Sequence, residues 1–412
     1  MNATMSTAPQ TSTLTSISTT ITILIFLYII TKLFLSLYLH CFRSPTNLLL
    51  RYRLNKTSPP STHQPVWAIV TGPTRGIGLS IATQLVRRGF SVLLVGRSND
   101  KLTRIQSELR QLNENTQVEF VEIDFNSTNS HSSLETLMTR VTSMAMDVGL
   151  LVNNVGIALD GLSYFTEISP ASLTNLCEVN MRSSLLMSRI ILPLIVRRGS
   201  GGIINMSSMS GLYATPMLSP YAATKAFVHS LSISLFEEVA GLDGIDIMSV
   251  TPGFVATSMA TSMFGEYARV RGEGGAAAAG GGGGGDRQQH HNFSWCGWSE
   301  CGPPVVSADE CAESVLCQLG SGQRHTSGHW KHGLQQFIQS WIPSEVLSDV
   351  THTCMRRFRQ ERRREEEELD ERGSGWNGGS GHSGSRMDIV RLPSVVEVDE
   401  RKEEEDEEAG LL

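Results

Sequence analysis

The chain has 412 residues, of which 40% are hydrophobic and 18% are charged, and its formal net charge is −7. These values are ordinary for a globular protein, and most of the negative charge lies in the acidic tail after Arg372. Because nothing in the sequence resembles a basic footprint, no nucleic-acid partner is predicted. The seven cysteines are widely spread, which indicates an enzyme that faces a reducing compartment rather than a disulfide-stabilised domain.

An apolar run near the N-terminus, residues 17–39, predicts a membrane anchor. About 20 apolar residues cross a bilayer, so this run is long enough for one transmembrane helix. Basic residues follow it between positions 43 and 56 and none precede it, which places the folded part in the cytosol. A cleaved signal peptide is the alternative, but it would have a basic start and a shorter apolar core. We predict that residues 1–16 are disordered and that residues 40–65 form a linker.

A glycine-rich turn follows the first buried strand, residues 66–70, and precedes a helical pattern at 79–88. Strand, glycine turn and helix together are the context that a dinucleotide-binding fingerprint requires. The glycines let the backbone approach a pyrophosphate, which rests on the helix N-terminus. An ordinary tight turn is the alternative interpretation. The candidate cofactor-binding residues of this turn are Gly72, Thr74, Arg75, Gly76, Ile77 and Gly78.

Two arginines predict NADPH/NADP+ rather than NAD as the cofactor. Arg97 follows the second strand, where an NAD enzyme usually has an acidic residue for the ribose 2′-hydroxyl. Together with Arg75 it would favour the 2′-phosphate, although either arginine alone fits a solvated surface position. Asp124 ends the third strand, residues 117–124, and is a candidate partner for the adenine amino group. Capping of the next helix is the alternative for this aspartate.

Polar residues after the fourth strand, residues 150–152, are candidates for bracing the loop beside the cofactor. These residues are Asn153, Asn154 and Gly156. A long apolar helix is predicted at 170–198, with Asn180 inside it. An asparagine in the middle of a helix is unfavourable unless its side chain has a specific role. Asn180 is either a core amide with satisfied hydrogen bonds or a catalytic residue.

Three side chains that suit hydride chemistry at a carbonyl follow the fifth strand. Ser208 comes just after that strand, and Tyr221 and Lys225 lie four residues apart, so they share one face of the next helix. The phenol would give the proton, the ammonium would lower the pKa of the phenol, and the serine would hold the carbonyl oxygen. Tyr-x-x-x-Lys pairs are common on surface helices, so this interpretation depends on the dinucleotide site.

Strands alternate with helices from residue 66 to residue 257, which predicts an α/β fold with a Rossmann-like doubly wound parallel sheet and helices on both faces. Over residues 66–259 the motifs, in this order, resemble the short-chain dehydrogenase/reductase family. The resemblance implies that Tyr221 is the catalytic acid/base and that Lys225 also grips the nicotinamide ribose. It implies that Ser208 orients the carbonyl and that Asn180 holds a proton-relay water. Residues implied to cover the nicotinamide amide and the phosphates are Pro252, Gly253, Val255 and Thr257.

A narrower resemblance is to the membrane-bound very-long-chain 3-oxoacyl-CoA reductases, which are close to 17-beta-hydroxysteroid dehydrogenase type 12. It is carried by the N-terminal span, by Thr74, Val155 and Ala226 in their motifs, and by the segment 328–333. It implies NADPH-dependent reduction of a 3-oxoacyl-CoA during fatty-acid elongation, at the endoplasmic reticulum membrane, with a homodimer or elongation-complex partners. The alternatives are a steroid or retinoid carbonyl reductase and a non-catalytic, membrane-tethered nucleotide-binding or scaffold protein.

The predicted domain, residues 66–268, is followed by three further segments. Residues 269–304 are a Gly-rich insertion, 305–358 are a helical substrate cap or membrane-associated segment, and 359–412 are a charged disordered tail. Four cysteines between residues 296 and 317 have spacings that do not fit the common zinc pattern, so no metal site is predicted.

Overall fold

The structure, a computed structural model, describes residues 10–37, 48–53, 65–126, 130–264 and 304–374. Two units are distinguished, residues 1–364 and residues 365–412, and the first contains the sheet and every residue discussed below. The Gly-rich tract at 272–285 and the tail beyond residue 374 lie outside the described residues.

A parallel sheet of seven strands organises the first unit. Its strands, in sequence order, are β1 (Val66–Thr71), β2 (Ser91–Gly96), β3 (Val118–Glu122), β4 (Asp147–Asn153), β5 (Gly201–Met206), β6 (Ile245–Val250) and β9 (His325–Thr326). Their spatial order is β3-β2-β1-β4-β5-β6-β9, and every neighbouring pair is parallel. The remaining strands, β7 (Phe254–Ala256) and β8 (Val305–Ser307), pair with each other. The order reverses between β1 and β4, and in such sheets ligands bind at the carboxyl ends beside this switch point.

Twelve α-helices are described around these strands. They are α1 (Gln10–Leu37), α2 (Leu48–Arg53), α3 (Gly76–Arg87), α4 (Asn99–Arg110), α5 (Ser130–Ser143), α6 (Pro170–Leu176), α7 (Ser183–Arg198), α8 (Ser219–Val239), α9 (Ser258–Phe264), α10 (Ala308–Gln318), α11 (Trp330–Gln339) and α12 (Ser344–Ser374).

The strands are buried on both faces, and alternate residues enter two separate apolar clusters. In β1, for example, Ala68 and Val70 pack with α2, α3, α4 and α10, whereas Trp67 and Ile69 pack with α5, α7 and α8. This division follows from the two-residue period of a strand. It confirms the predicted Rossmann-like doubly wound sheet with helices on both faces.

The apolar stretch predicted as one helix at 170–198 is interrupted. A π-helical turn, Cys177–Arg182, separates α6 from α7. By length and composition the whole stretch could cross a membrane, but 44% of its most apolar window is buried. Met187 and Ile191 of α7 pack on the sheet, so this is a core helix.

The N-terminal helix α1 has a different environment. Its 28 residues include the exposed apolar side chains of Leu24, Phe26 and Phe34. The apolar part of the helix, Ser18–Thr31, is shorter than the 18 residues of a candidate membrane span. The helix lies against α11 of the folded unit. An exposed apolar helix of this length is compatible with the predicted anchor.

Part of the interval predicted as a linker, 40–65, is a docked helix. The side chains of Leu48 and Tyr52 in α2 belong to the core. Arg51 forms a two-fold ion pair with Asp246 at the start of β6, with N···O distances of 2.8 and 2.9 Å, and Tyr52 donates a hydrogen bond to the same carboxylate. Burial raises the pKa of Tyr52 well above its usual value. The composition of the interval did not reveal this helix because its contacts are all distant in sequence.

We expect Asp246→Ala to lower the free energy of unfolding by about 2 kcal/mol, because it removes hydrogen bonds to a charged group and leaves Arg51 and Tyr52 without their acceptor. Urea denaturation measures this change. The matched control is Glu108→Ala, which breaks the exposed pair between Arg104 and Glu108 and should cost about 0.5 kcal/mol or less. Equal losses in the two variants would contradict a structural role for α2.

Candidate active site

The glycine turn joins β1 to α3 at the switch point of the sheet. Gly72 and Gly76 have φ angles of 66° and 56°, in the left-handed region that favours glycine. A Cβ at Gly72 would lie 2.9 Å from the backbone of Val155, and one at Gly78 would overlap the side-chain nitrogen of Asn154. Larger residues do not fit at Gly72 and Gly78, so no side chain at these positions covers the backbone of the turn. Such a cradle at a helix N-terminus fits the pyrophosphate of a dinucleotide.

We expect Gly78→Ala to destabilise the fold by about 2 kcal/mol, because the new methyl group forces apart the glycine turn and the loop after β4. Thermal unfolding without cofactor measures the effect. Gly241→Ala is the control, since a Cβ there meets nothing within 4 Å. If Gly78→Ala were as stable as Gly241→Ala, the close approach described here would be incorrect.

The two asparagines after β4 have different roles. The side chain of Asn154 donates to the carbonyl oxygens of Thr71 and Gly72, at 3.1 and 3.0 Å, and so braces the glycine turn. Asn153 is buried and donates to Ser188 and to Asn205 inside the fold. Asn154 therefore contacts the end of β1 and the glycine turn, and Asn153 contacts the neighbouring strand β5. The bracing of the loop predicted for both residues stays a prediction.

The candidate adenosine-binding residues lie along the carboxyl edge of the sheet. Arg75 precedes α3, Arg97 follows β2, and both side chains are exposed. Asp124, also exposed, follows β3 and accepts a hydrogen bond from the backbone of Asn126, a local turn contact. Thr74 and Ile77 occupy partly buried positions of the glycine turn.

Ser208, Tyr221 and Lys225 converge at the end of β5, as the sequence predicts. The hydroxyl of Ser208 lowers the pKa of the Tyr221 phenol and accepts a hydrogen bond of 2.9 Å from Ser210. Lys225 donates to the carbonyl oxygen of Met206 at 2.9 Å, and its ammonium lies 5.8 Å from the centre of the Tyr221 ring. Two segments, the end of β5 and helix α8, thus bring a proton donor, a hydroxyl and a cation to one place.

Burial is the largest influence on the pKa values of Tyr221 and Lys225. It raises the pKa of Tyr221 to about 12, while the hydrogen bond with Ser208 lowers it. It lowers the pKa of Lys225 to about 8. The lowering of the phenol pKa that we expected from Lys225 is not what this structure shows, because that ammonium donates to Met206 instead. The Tyr221 phenol is protonated at neutral pH, which is the form that a proton donor needs.

Because burial lowers the pKa of Lys225, we expect the free energy of unfolding to depend on pH. Below about pH 8 the folded state holds a buried charge that the unfolded chain, with a pKa near 10.5, carries freely. The resulting cost disappears as the pH rises from about 8 to about 10, so the free energy of unfolding increases over that window. Urea denaturation of the wild type and of Lys225→Met should show that the variant lacks this increase. The same pH slope in both proteins would contradict the shift.

Asn180 lies in the π-helical turn between α6 and α7 and links the cofactor side to the catalytic helix. Its side chain accepts a hydrogen bond of 2.8 Å from the backbone of Ile157, donates to the Ile157 carbonyl, and donates to Thr224 of α8. A Cβ at Gly156 would lie 3.3 Å from Lys225 and 3.4 Å from Asn180. Gly156 thus lies close to both polar side chains, and a larger residue there would crowd them.

The segment after β6 closes the site from the other side. The carbonyl of Pro252 accepts a hydrogen bond from Met209, next to Ser208, and Val255 is buried in β7. Thr257 faces the glycine turn, since a Cβ at Gly76 would lie 3.0 Å from its methyl group. The segment implied to cover the nicotinamide therefore runs from the neighbourhood of Ser208 to the glycine turn.

Helix α11 holds this segment in place, a feature that motif reading did not find. Gln336 donates to the carbonyl and to the hydroxyl of Thr251, at 2.8 and 2.9 Å. His332 is fully buried, and its Nε2 lies 3.1 Å from the carbonyl oxygen of Phe254. A Cβ at Gly253 would come within 2.8 Å of the His332 ring. The clue in the sequence was weak, because it consists only of polar residues on one side of a short apolar helix.

An apolar cluster lies beside the catalytic helix. Its buried members are Leu162, Met217, Leu218, Met263 and Met355, which come from two loops, α9 and α12. Helix α12 is fixed there by Arg359, which pairs with Glu167 at 2.7 Å, and by Arg362, which contacts Asp160. Two of its members, Met217 and Leu218, lie just before Tyr221 in the chain, so the cluster forms an apolar and adaptable surface near Tyr221.

Among the residues that the structure describes, no group of three His, Cys, Asp or Glu side chains could hold a metal ion. Cys296 and Cys301 lie outside the described residues, and Cys311 and Cys317 lie on α10. Burial raises the pKa of Cys311 to about 12, so this thiol is a core residue.

Comparison with known proteins places this site in context. Residues 66–268 match the family described as short chain dehydrogenase. Very-long-chain 3-oxoacyl-CoA reductases from Bos taurus and Homo sapiens are 38% and 36% identical over 196 residues, which are 47% of this chain and 61% of each relative. The chain thus spans about three fifths of the length of these relatives.

Other relatives are covered more fully. Hydroxysteroid dehydrogenase-like protein 1 of Gallus gallus is 31% identical over 297 residues, which are 72% of this chain and 77% of the relative. Among solved structures, a 7β-hydroxysteroid dehydrogenase is 17% identical with a TM-score of 0.54, covering 70% of this chain and 96% of that one. An NADP-bound protein of Beutenbergia cavernae, described as a gluconate 5-dehydrogenase, is 20% identical with a TM-score of 0.51, covering 67% and 100%. The two structures share the fold, and the extended match to the Gallus gallus protein, with the family motifs in their order, shows that this chain belongs to the short-chain dehydrogenase/reductase family.

Proposed function

We propose that this protein is a membrane-anchored, NADPH-dependent ketoreductase that reduces a 3-oxoacyl-CoA to the 3-hydroxyacyl-CoA. The observation that carries the proposal is the buried phenol of Tyr221, whose pKa Ser208 lowers and whose ring lies 5.8 Å from the ammonium of Lys225 at the end of β5. A protonated phenol in that position suits a reduction, in which the forming alkoxide needs a proton.

Different residues of the chain would bind the cofactor, orient the carbonyl oxygen and donate the proton. Bound NADPH would supply the hydride for the carbonyl carbon. The glycine turn and the segment 251–257 would hold the dinucleotide, and Arg75 and Arg97 would contact its 2′-phosphate. Ser208 would orient the carbonyl oxygen, and Tyr221 would donate its proton to that oxygen.

Reprotonation of Tyr221 needs a path to solvent, and the chain offers one. Lys225 and Asn180 both lie beside Gly156, and a water molecule bound to the two side chains would form the first step of that path. With a pKa of about 8, Lys225 is charged at neutral pH and could donate a hydrogen bond to that water. Asn180 acts here as a positioning residue for that water.

The substrate class rests on the apolar cluster and on the relatives. Met217, Met263 and Met355 are flexible, polarizable side chains that could repack around an alkyl chain. Two of the compared relatives are very-long-chain 3-oxoacyl-CoA reductases, which favours an acyl-CoA. Helix α1 would tether the enzyme to the endoplasmic reticulum membrane as a single span, with the catalytic domain in the cytosol. A homodimer or elongation-complex partners stay predictions.

Oxidation of NADPH by the purified, membrane-reconstituted protein tests this function on 3-oxoacyl-CoAs, steroid ketones and retinal. We expect turnover with long-chain 3-oxoacyl-CoAs and markedly less with the other carbonyl compounds. Turnover with steroid ketones or retinal alone would favour the second candidate, a steroid or retinoid carbonyl reductase, which the extended match to hydroxysteroid dehydrogenase-like protein 1 supports. NADPH binding without turnover on any ketone would favour a non-catalytic nucleotide-binding or scaffold protein.

A further inference from the structure

Helix α11 has two opposite faces of different character. Trp330, Leu334 and Ile338 follow one another at four-residue intervals and are 36–38% exposed, so they form one outward stripe. His332 and Gln336 are offset from this stripe by two residues, about half a turn, and point into the fold. Trp341, 48% exposed, continues the stripe just after the helix.

The orientation of this helix is fixed. On its inner face Gln336 and His332 bind the segment 251–257, and the carbonyl of Gln336 accepts a hydrogen bond of 3.3 Å from Tyr213. The helix therefore cannot roll to bury its outer stripe without breaking contacts to the core. The apolar stripe is presented at the surface as a permanent feature.

Helix α1 lies against α11, so the stripe lies on a helix that contacts the proposed membrane span. The exposed side chains of α1, among them Leu24, Phe26 and Phe34, are as apolar as a bilayer requires. A helix beside a membrane span lies at the membrane surface, and tryptophan is enriched at that depth. The half-buried Lys331 adds a cation at the polar side, where phosphate headgroups would lie.

We infer that α11 is an interfacial helix, with Trp330, Leu334, Ile338 and Trp341 inserted into the lipid surface beside α1. This inference rests on the proposed membrane anchor and adds a second lipid contact to it. The active site would then be held at a fixed distance from the bilayer, because the inner face of the same helix contacts the cofactor segment. A lipid-like substrate could pass from the bilayer to the apolar cluster without crossing bulk water.

Photo-crosslinking in liposomes of phosphatidylcholine tests this inference on the full-length protein. Benzoylphenylalanine replaces Leu334 or Ile338 on α11, Leu24 on α1 as the positive control, or Leu242 as the control remote from α11. Leu242 is a matched control because it is also an exposed leucine, on the turn before β6. Mass spectrometry then detects covalent lipid adducts after illumination.

We expect lipid adducts from positions 24, 334 and 338 and none from position 242. Adducts at 24 without adducts at 334 and 338 would overturn the inference and leave the anchor intact. Absence of adducts at position 24 would instead contradict the proposed anchor. Crosslinks from 334 or 338 to a second copy of the chain, in place of lipid, would also overturn the inference and assign the stripe to a homodimer.

Discussion

Tyr221→Phe should lower kcat for ketone reduction by about a thousandfold, which is within the usual contribution of a positioned general acid. The substitution removes the oxygen that carries the proton and keeps the ring that fills the buried position. The Kd for NADPH should stay within about threefold of the wild-type value, because the residues of the glycine cradle are untouched. Steady-state kinetics and fluorescence titration with NADPH measure the two quantities.

The control for this substitution is Tyr164→Phe. The ring of Tyr164 stacks on the guanidinium of Arg359 at 4.7 Å, a contact that phenylalanine preserves. Its kcat should equal that of the wild type. If Tyr221→Phe kept wild-type turnover, the proton would have to come from another group, and the assignment of Tyr221 would be wrong.

The double variant Arg75→Ala/Arg97→Asp should lower kcat/KM for NADPH by about a hundredfold and shift the preference to NADH. Two hydrogen bonds to a charged phosphate, at about 1.5–3 kcal/mol each, account for this magnitude. The aspartate would also accept a hydrogen bond from the ribose 2′-hydroxyl of NADH. Both arginines are exposed at the ends of β1 and β2, so the fold should tolerate the changes.

Arg104→Ala is the control for this pair. Arg104 is also an exposed arginine, but it pairs with Glu108 on α4. We expect its coenzyme preference to match that of the wild type. An unchanged affinity for NADPH in the double variant would show that neither arginine contacts the 2′-phosphate.

The parts of the site that depend on local sequence were predictable. Glycine spacing, strand ends and the four-residue interval between Tyr221 and Lys225 follow from short-range rules. Because parallel strands end at one edge of the sheet, the order of these motifs was enough to bring Ser208 to the catalytic helix. The two-residue alternation of β1 between both apolar clusters likewise agrees with the predicted doubly wound sheet.

Features that depend on distant contacts were not predictable. The π-helical turn around Asn180 reads locally as ordinary helix, since its geometry is set by bonds to Ile157 and Thr224. Helix α2 is held by Asp246, nearly two hundred residues away along the chain. Asn153 and Asn154 are adjacent and chemically identical, and only the packing decides which of them braces the glycine turn.

Transfer of deuterium tests the central claim, that this site reduces a ketone with Tyr221 as the acid. The protein is incubated with a long-chain 3-oxoacyl-CoA and NADPH deuterated at the transferable ring position, and the product is examined by mass spectrometry. With the wild type we expect one deuterium on the new carbinol carbon of the product. With Tyr221→Phe we expect almost no labelled product in the same time. Unlabelled 3-hydroxyacyl-CoA, or equal labelled product from both proteins, would contradict the central claim.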